Sequence, residues 1–96
     1  MCSSDLMSNV LHSAITFADG RVVQSNYADY PVERLRAAPH AVDVEIMQSE
    51  RASGGVGEPG VPPSGAAIAN AIFAATGVRV RELPVGKQLA NWQSRA

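Results

Sequence analysis

From Ser13 to Tyr27 the chain reads SAITFADGRVVQSNY, in which Ile15 and Phe17 precede an Asp19-Gly20 pair and Val22 and Val23 follow it. β-Formers on both sides of Asp-Gly predict two antiparallel strands, because that dipeptide accepts the positive φ angles a tight hairpin turn requires. Further along, AVDVEIM alternates strictly, with Val42, Val44 and Ile46 facing one way and Asp43 and Glu45 the other. That is the period of a strand with one buried and one wet face, and it predicts a third strand. The period changes at VPPSGAAIANAIFAATG, residues 61–77. Its prolines suit a first helical turn, its body is rich in helix formers, Ile68 and Ile72 share a face, and Gly77 can take a left-handed cap. VRVREL, residues 78–83, alternates again and predicts a short final strand. The fold class is therefore α+β: a small antiparallel sheet, made of the hairpin plus a third strand, then a glycine-rich loop and one helix. No internal repeat interrupts this order.

Both ends differ from the patterned middle. Residues 1–6, MCSSDL, show no hydrophobic period and join abruptly to the patterned segment beyond them. Read back into codons they fit the end of a common sequencing adapter with GTG taken as the start, so they are expected to be adapter-derived; a plain disordered N-terminus is the alternative. Residues 87–96, KQLANWQSRA, form a polar tail or a short terminal helix around Trp92.

Composition narrows the classes of function. Ninety-six residues make one small domain or a piece of a larger one, too small to enclose a large cofactor alone. Eight basic and nine acidic residues, a net charge of -1, are scattered along the chain. They leave no footprint for nucleic acid or an anionic membrane. The longest apolar-rich run, GAAIANAIFAATGV, is too short to span a bilayer, and the N-terminus lacks the basic-then-apolar order of a signal peptide. A single cysteine, Cys2, excludes an internal disulfide and a zinc cluster, and His12 and His40 complete no metal-ligand spacing. A metal would have to arrive inside a cofactor.

The chemistry-bearing stretch is GGVGEPG, residues 54–60, where four glycines and Pro59 surround one carboxylate, Glu58. Gly55, Gly57 and Gly60 satisfy G-x-G-x-x-G, and Glu82 follows at roughly the spacing of a ribose-binding acid. A dinucleotide fingerprint, however, turns directly from strand into helix. Here seven residues separate Met47 from Gly55, and Pro59, Pro62 and Pro63 hold the helix back from the motif. What the loop offers instead is backbone. Gly54, Gly55 and Gly57 permit positive φ and close approach to a ligand, and Pro59 keeps Glu58 out of helical geometry. The following helix N-terminus would add partial positive charge and free N–H groups favouring an anion. The arrangement suits a fixed general base; a surface turn in which Glu58 caps or solvates the loop is the bland alternative.

The residues of GGVGEPGVPPSGAAIANAIFAATGVRVRELP, together with DGRVVQSNYADYPVERLRAAP upstream, resemble the C-terminal end of the molybdopterin-binding large subunit of the xanthine dehydrogenase and aldehyde oxidase family. Within it they are most similar to the isoquinoline 1-oxidoreductase and bacterial aldehyde dehydrogenase branch. The resemblance runs from about Ala14 to Val85, and the ordered combination of GVGEP with SNYADYP and the helix sequence is more specific than GVGEP alone. It implies that residues 7–86 are the C-terminal part of a molybdopterin-binding domain, an incomplete piece of a larger unit. It implies a molybdopterin cofactor in the cytosine dinucleotide form with molybdenum, and iron–sulfur clusters on a partner small subunit. The remainder of the large subunit and a small-molecule substrate, an aldehyde or an N-heterocycle, complete the expected partners. Nucleic acid and a direct membrane span are not among them.

By motif position the resemblance makes Glu58 the catalytic base, taking a proton from a molybdenum-bound hydroxyl whose oxygen, supplied by water, attacks the substrate carbon. It places Gly55, Val56 and Gly57 against the cofactor. No protein residue is implied as a metal ligand, and the 96 residues alone are expected to be inactive. Tyr27 and Tyr30 read as packing residues, His12 and His40 as surface histidines. Arg34, Arg36, Arg79 and Arg81 read as solvated, or as partners of acids across an interface. The competing class is a small α+β binding or structural module whose glycine loop holds an anion or a partner.

Overall fold

The longest element of the computed structural model, which describes residues 3–89, is the helix expected from the alanine-rich run. This helix, α2, spans Val61–Thr76 and follows Gly60 with Pro62 and Pro63 in its first turn, where their missing N–H groups leave no intrahelical bond unmade. It stops at Gly77, whose φ of 72° is left-handed and whose N–H donates to the Phe73 carbonyl at 2.8 Å. Thr76 Oγ1 donates to the Ile72 carbonyl and accepts from the Val78 N–H, which ties the chain just beyond the cap back to the last turn.

The hairpin forms as the Asp19-Gly20 pair predicts. Strands β1, Phe17–Ala18, and β2, Arg21–Val22, are antiparallel with Phe17 opposite Val22 and Ala18 opposite Arg21. Asp19 at φ 50° and Gly20 at φ 72° are the two positive-φ positions of a type I′ turn, whose twist matches that of the strands. Beyond the ladder, the Val23 N–H donates to the Thr16 carbonyl, and the Gln24 amide returns two bonds to Thr16.

The other two expected strands do not form. Among the described residues the sheet has two strands only, and residues 41–47 carry no regular structure despite their alternation. Period 2 marks a face seeking burial, and a strand needs a neighbour for its backbone groups; β1 and β2 are too short to give seven residues one. Residues 78–83 fail for another reason: they fold back along α2. The Arg79 guanidinium lies 3.4 Å from the Phe73 ring centroid, and Leu83 Cδ1 would stand 3.1 Å from a Cβ placed on Gly65. The α+β class holds, with a smaller sheet.

One helix falls where none is expected. Helix α1, Ser3–Leu11, packs against α2 and overlaps residues 1–6. Leu6 with Val10, and Met7 with Leu11, stand four apart and share a face, a signal present in the sequence but cut by a boundary at residue 6. Leu6 Cδ1 reaches to 3.4 Å from a Cβ built on Gly60. Val10 and Ser8 are buried, and three segments converge there. The Val85 N–H donates to the Val10 carbonyl, the Ser8 hydroxyl accepts from the Glu33 N–H, and His12 Nε2 lies 2.8 Å from Glu33 Oε2. A one-turn 3-10 helix at Gly86–Leu89 ends the described chain; Cys2 and Trp92 lie outside it.

Among the described residues this knot is the whole of the core, and only Val10 and Val85 are buried aliphatics. The radius of gyration is 16.3 Å, against about 12.5 Å for a compact domain of this length. The accessible surface is 8312 Å², against about 5,300 Å² for a folded protein of 10.1 kDa. Many large apolar side chains are left in water, among them Phe17, Tyr27, Leu35, Val44, Ile46, Met47 and Val56.

Candidate functional site

Glu58 opens a tight turn. Its carbonyl accepts from the Val61 N–H at 2.9 Å, Pro59 occupies the second position, and Gly60 at φ -76°, ψ -17° the third, the geometry of a type I turn running straight into α2. Because proline presets the second position, the turn is stiff at the point where the acid leaves the chain. On its other side, Gly55 at φ 97° adopts a conformation that side-chain-bearing residues avoid.

Gly54, Gly55, Gly57, Glu58, Pro59 and Pro62 line a shallow groove of about 530 Å³. All six are exposed. A Cβ added at Gly54, Gly55 or Gly57 would meet nothing within 4 Å, so no neighbour in this chain requires their bareness. Gly55 is needed for its φ; Gly54 and Gly57 serve neither a positive φ nor a close contact here. Val56, between them, does not line the groove and is 90% exposed.

The Glu58 carboxylate has no hydrogen-bond or ion-pair partner among the described residues. It does not cap α2, whose N-cap, Gly60, receives no side-chain bond. The bland capping role is thus absent. The helix N-terminus is also a poorer anion site than its position suggests. Of the donors an N-terminus ordinarily leaves free, the Val61 N–H is taken by Glu58, Pro62 and Pro63 have none, and only the Gly60 N–H remains.

The dinucleotide alternative finds no support in this geometry, since no strand leads into the glycines and Glu82 lies exposed, its carbonyl accepting from the Gln88 amide. Tyr27 and Tyr30 do not pack together into a core. With Ile15, Gln24, Ser25 and Asn26 they line a second concavity of about 400 Å³, and Tyr27 is 85% exposed. Their loop is tied by Asn26 Oδ1 accepting from the Ala28 N–H, and Asp29 Oδ2 from the Ser25 hydroxyl. His12 is occupied by Glu33, while Arg79 stacks on Phe73, a use of arginine that charge spacing does not signal. His40, Arg34, Arg36 and Arg81 lie away from the groove lining. Among the described residues no group of His, Cys, Asp and Glu could hold a metal ion, and no helix is long and apolar enough to cross a membrane.

Three curated proteins are similar to the chain over most of its length. It is 40% identical over 79 residues, 81% of its length, to a nicotinate dehydrogenase subunit of Pseudomonas putida. It is 39% identical over 79 residues, 82% of its length, to a protein of Gluconacetobacter polyoxogenes named membrane-bound aldehyde dehydrogenase [pyrroloquinoline-quinone]. It is 34% identical over 85 residues, 88% of its length, to the beta subunit of isoquinoline 1-oxidoreductase from Brevundimonas diminuta. The matched stretches are only 7%, 10% and 11% of these relatives. No protein-family profile and no solved structure matches the chain. On the strength of these three relatives, the chain belongs to the molybdenum hydroxylase family of xanthine dehydrogenase-like enzymes, in the branch that includes isoquinoline 1-oxidoreductase.

Proposed function

We propose that this chain is one wall of a molybdopterin site in an oxidoreductase acting on aldehydes or N-heterocycles, with Glu58 as its base and Gly55, Val56 and Gly57 against the cofactor. The observation that carries the reading is the Glu58 carboxylate, held by a proline turn at the rim of a groove and left without a partner among the described residues. A carboxylate paired to a cation or spent on a cap would be a poor proton acceptor; this one is neither. Gly54 and Gly57, bare with no neighbour to require it, fit a ligand approaching from outside the chain.

The bound molybdopterin would supply the two-electron chemistry and pass electrons to iron–sulfur clusters on a partner subunit. What this chain supplies is position and a proton acceptor. The turn from Glu58 to Val61 fixes where the carboxylate leaves the backbone, and the glycines let the main chain lie close beside the group it serves. The groove is open, and its lining comes from residues 54–62 alone, so the remaining walls, the exclusion of water and the choice of substrate fall to the rest of the subunit. The 96 residues alone are then inactive. A loop that holds an anion is the weaker reading, because only one backbone donor is left at the α2 N-terminus.

The test is Glu58→Gln in the assembled enzyme carrying this chain. Glutamine keeps the volume but cannot accept the proton, so turnover per bound molybdenum should fall at least ~10²–10⁴-fold while molybdenum content stays unchanged. Glu82→Gln should leave turnover near normal. Near-normal turnover of the Glu58 variant, or an active enzyme containing a quinone and no molybdenum, would overturn the assignment.

A further inference from the structure

Residues 41–47 carry the clearest alternation in the chain and pair with nothing among the described residues. Val42, Val44 and Ile46 are 57%, 78% and 77% exposed, and none of the seven residues exchanges a backbone hydrogen bond with another described residue. Water can satisfy the N–H and C=O groups, but it leaves three β-branched side chains on one face wet, an arrangement that burial would reverse. A helix or a flat apolar patch could cover the side chains and would still strand the backbone groups. A sheet edge satisfies both.

We propose that residues 41–47 dock as a strand on an open β-sheet edge in the remainder of the subunit. Val42, Val44 and Ile46 join that sheet's apolar face, and Asp43 and Glu45 stay on its wet face. The partner's location rests on the family reading above, in which the relatives carry about ten times more chain than is matched here. The pairing itself does not depend on what Glu58 does. The hairpin cannot serve as the edge, since its strands are two residues each. Only seven residues separate Met47 from Gly55, so a docked strand would also anchor the upstream end of the glycine loop.

Amide hydrogen exchange tests this in two samples: the 96-residue chain alone, and the nicotinate dehydrogenase subunit of Pseudomonas putida with this chain in place of its matched stretch. In the first, the amides of Val42–Ile46 should exchange at nearly the unstructured rate. In the second they should slow by at least about 100-fold, the protection of a sheet rather than a loop. Val44→Asp should abolish that protection, and Glu45→Gln on the wet face should leave it intact. Fast exchange at these amides in an assembled subunit whose α2 amides are protected would overturn the proposal. Concentration-dependent protection in the isolated chain would also overturn it, since a second copy would then be the occupant. If the hybrid subunit does not fold, the aligned amides of the unaltered Pseudomonas subunit give the same reading, and their fast exchange is equally fatal. None of these readings requires activity or a base at Glu58, so failure here and failure of the catalytic assignment are separate events.

Discussion

Val10 and Val85, 75 positions apart in sequence, are joined by the Val85 N–H donating to the Val10 carbonyl at 2.9 Å, and they are the two buried aliphatics of the described chain. The bond ties α1 to the segment that leaves α2. A nine-residue helix is too short to persist in water by itself. This bond is one of the tertiary contacts that hold it, beside its packing on α2 and the Ser8 and His12 bonds to Glu33.

Val85→Ala should therefore loosen α1 selectively. Removing two buried methyl groups costs roughly 1–2 kcal/mol, which speeds exchange of the Val10 and Leu11 amides about 5- to 30-fold. Phe17 and Val22, in the hairpin, should be unaffected. Equal acceleration in both regions would show that the two form one cooperative unit instead.

The hairpin depends on its turn rather than on burial, since Phe17 is 72% and Val22 48% exposed. Gly20 sits at φ 72° with open space around it, so Gly20→Ala meets no clash with neighbours and suffers only the left-handed strain, about 1 kcal/mol or more. That is enough to melt an isolated two-stranded ladder. Loss of the cross-strand Phe17–Val22 contacts in NMR spectra is the expected result. Asp19→Asn, which tolerates its φ of 50°, should preserve them.

The hairpin turn, the prolines of α2 and its Gly77 cap are local backbone requirements written in single residues, and each stands where the pattern puts it. Residues 41–47 and 78–83 are harder to read, because alternation states that a face wants burial and is silent on what buries it. The first finds no neighbour among the described residues, and the second is diverted by Arg79 stacking on Phe73. Helix α1 is legible in the i, i+4 pairs Leu6–Val10 and Met7–Leu11, but taking MCSSDL as foreign splits those pairs and hides it. At the groove, the positions of Glu58 and the glycines follow from the motif. That prolines and the Glu58 carbonyl leave the helix N-terminus with one donor emerges only from the turn geometry.

Isolated, the 96-residue chain should behave as its surface predicts. With about 3,000 Å² more exposed area than a folded protein of its mass, it should bind apolar dyes, sediment as an expanded or self-associating species, and retain no stoichiometric molybdenum. A compact monomer that binds no dye, or one molybdenum per chain by elemental analysis, would contradict this picture.

Gly57 supplies the most discriminating substitution. In this chain a Cβ at Gly57 meets nothing within 4 Å, and its φ is not positive, so Gly57→Ala should leave the exchange and stability of the isolated chain unchanged within about 0.5 kcal/mol. If the loop instead lies against a cofactor in the assembled enzyme, the same methyl group intrudes on that approach. Molybdenum content or turnover per bound molybdenum should then fall by about tenfold or more, the scale of about 1.4 kcal/mol of lost complementarity. Gly55→Ala would not separate these cases, because its φ of 97° makes alanine strained with or without a ligand. Pro62→Ala, on the groove but at a helical position, controls for general disturbance of the lining and should affect molybdenum content less than Gly57→Ala. An assembled Gly57→Ala enzyme with normal molybdenum and normal turnover would mean that the glycine faces solvent there too, and would remove the loop from the cofactor's surface.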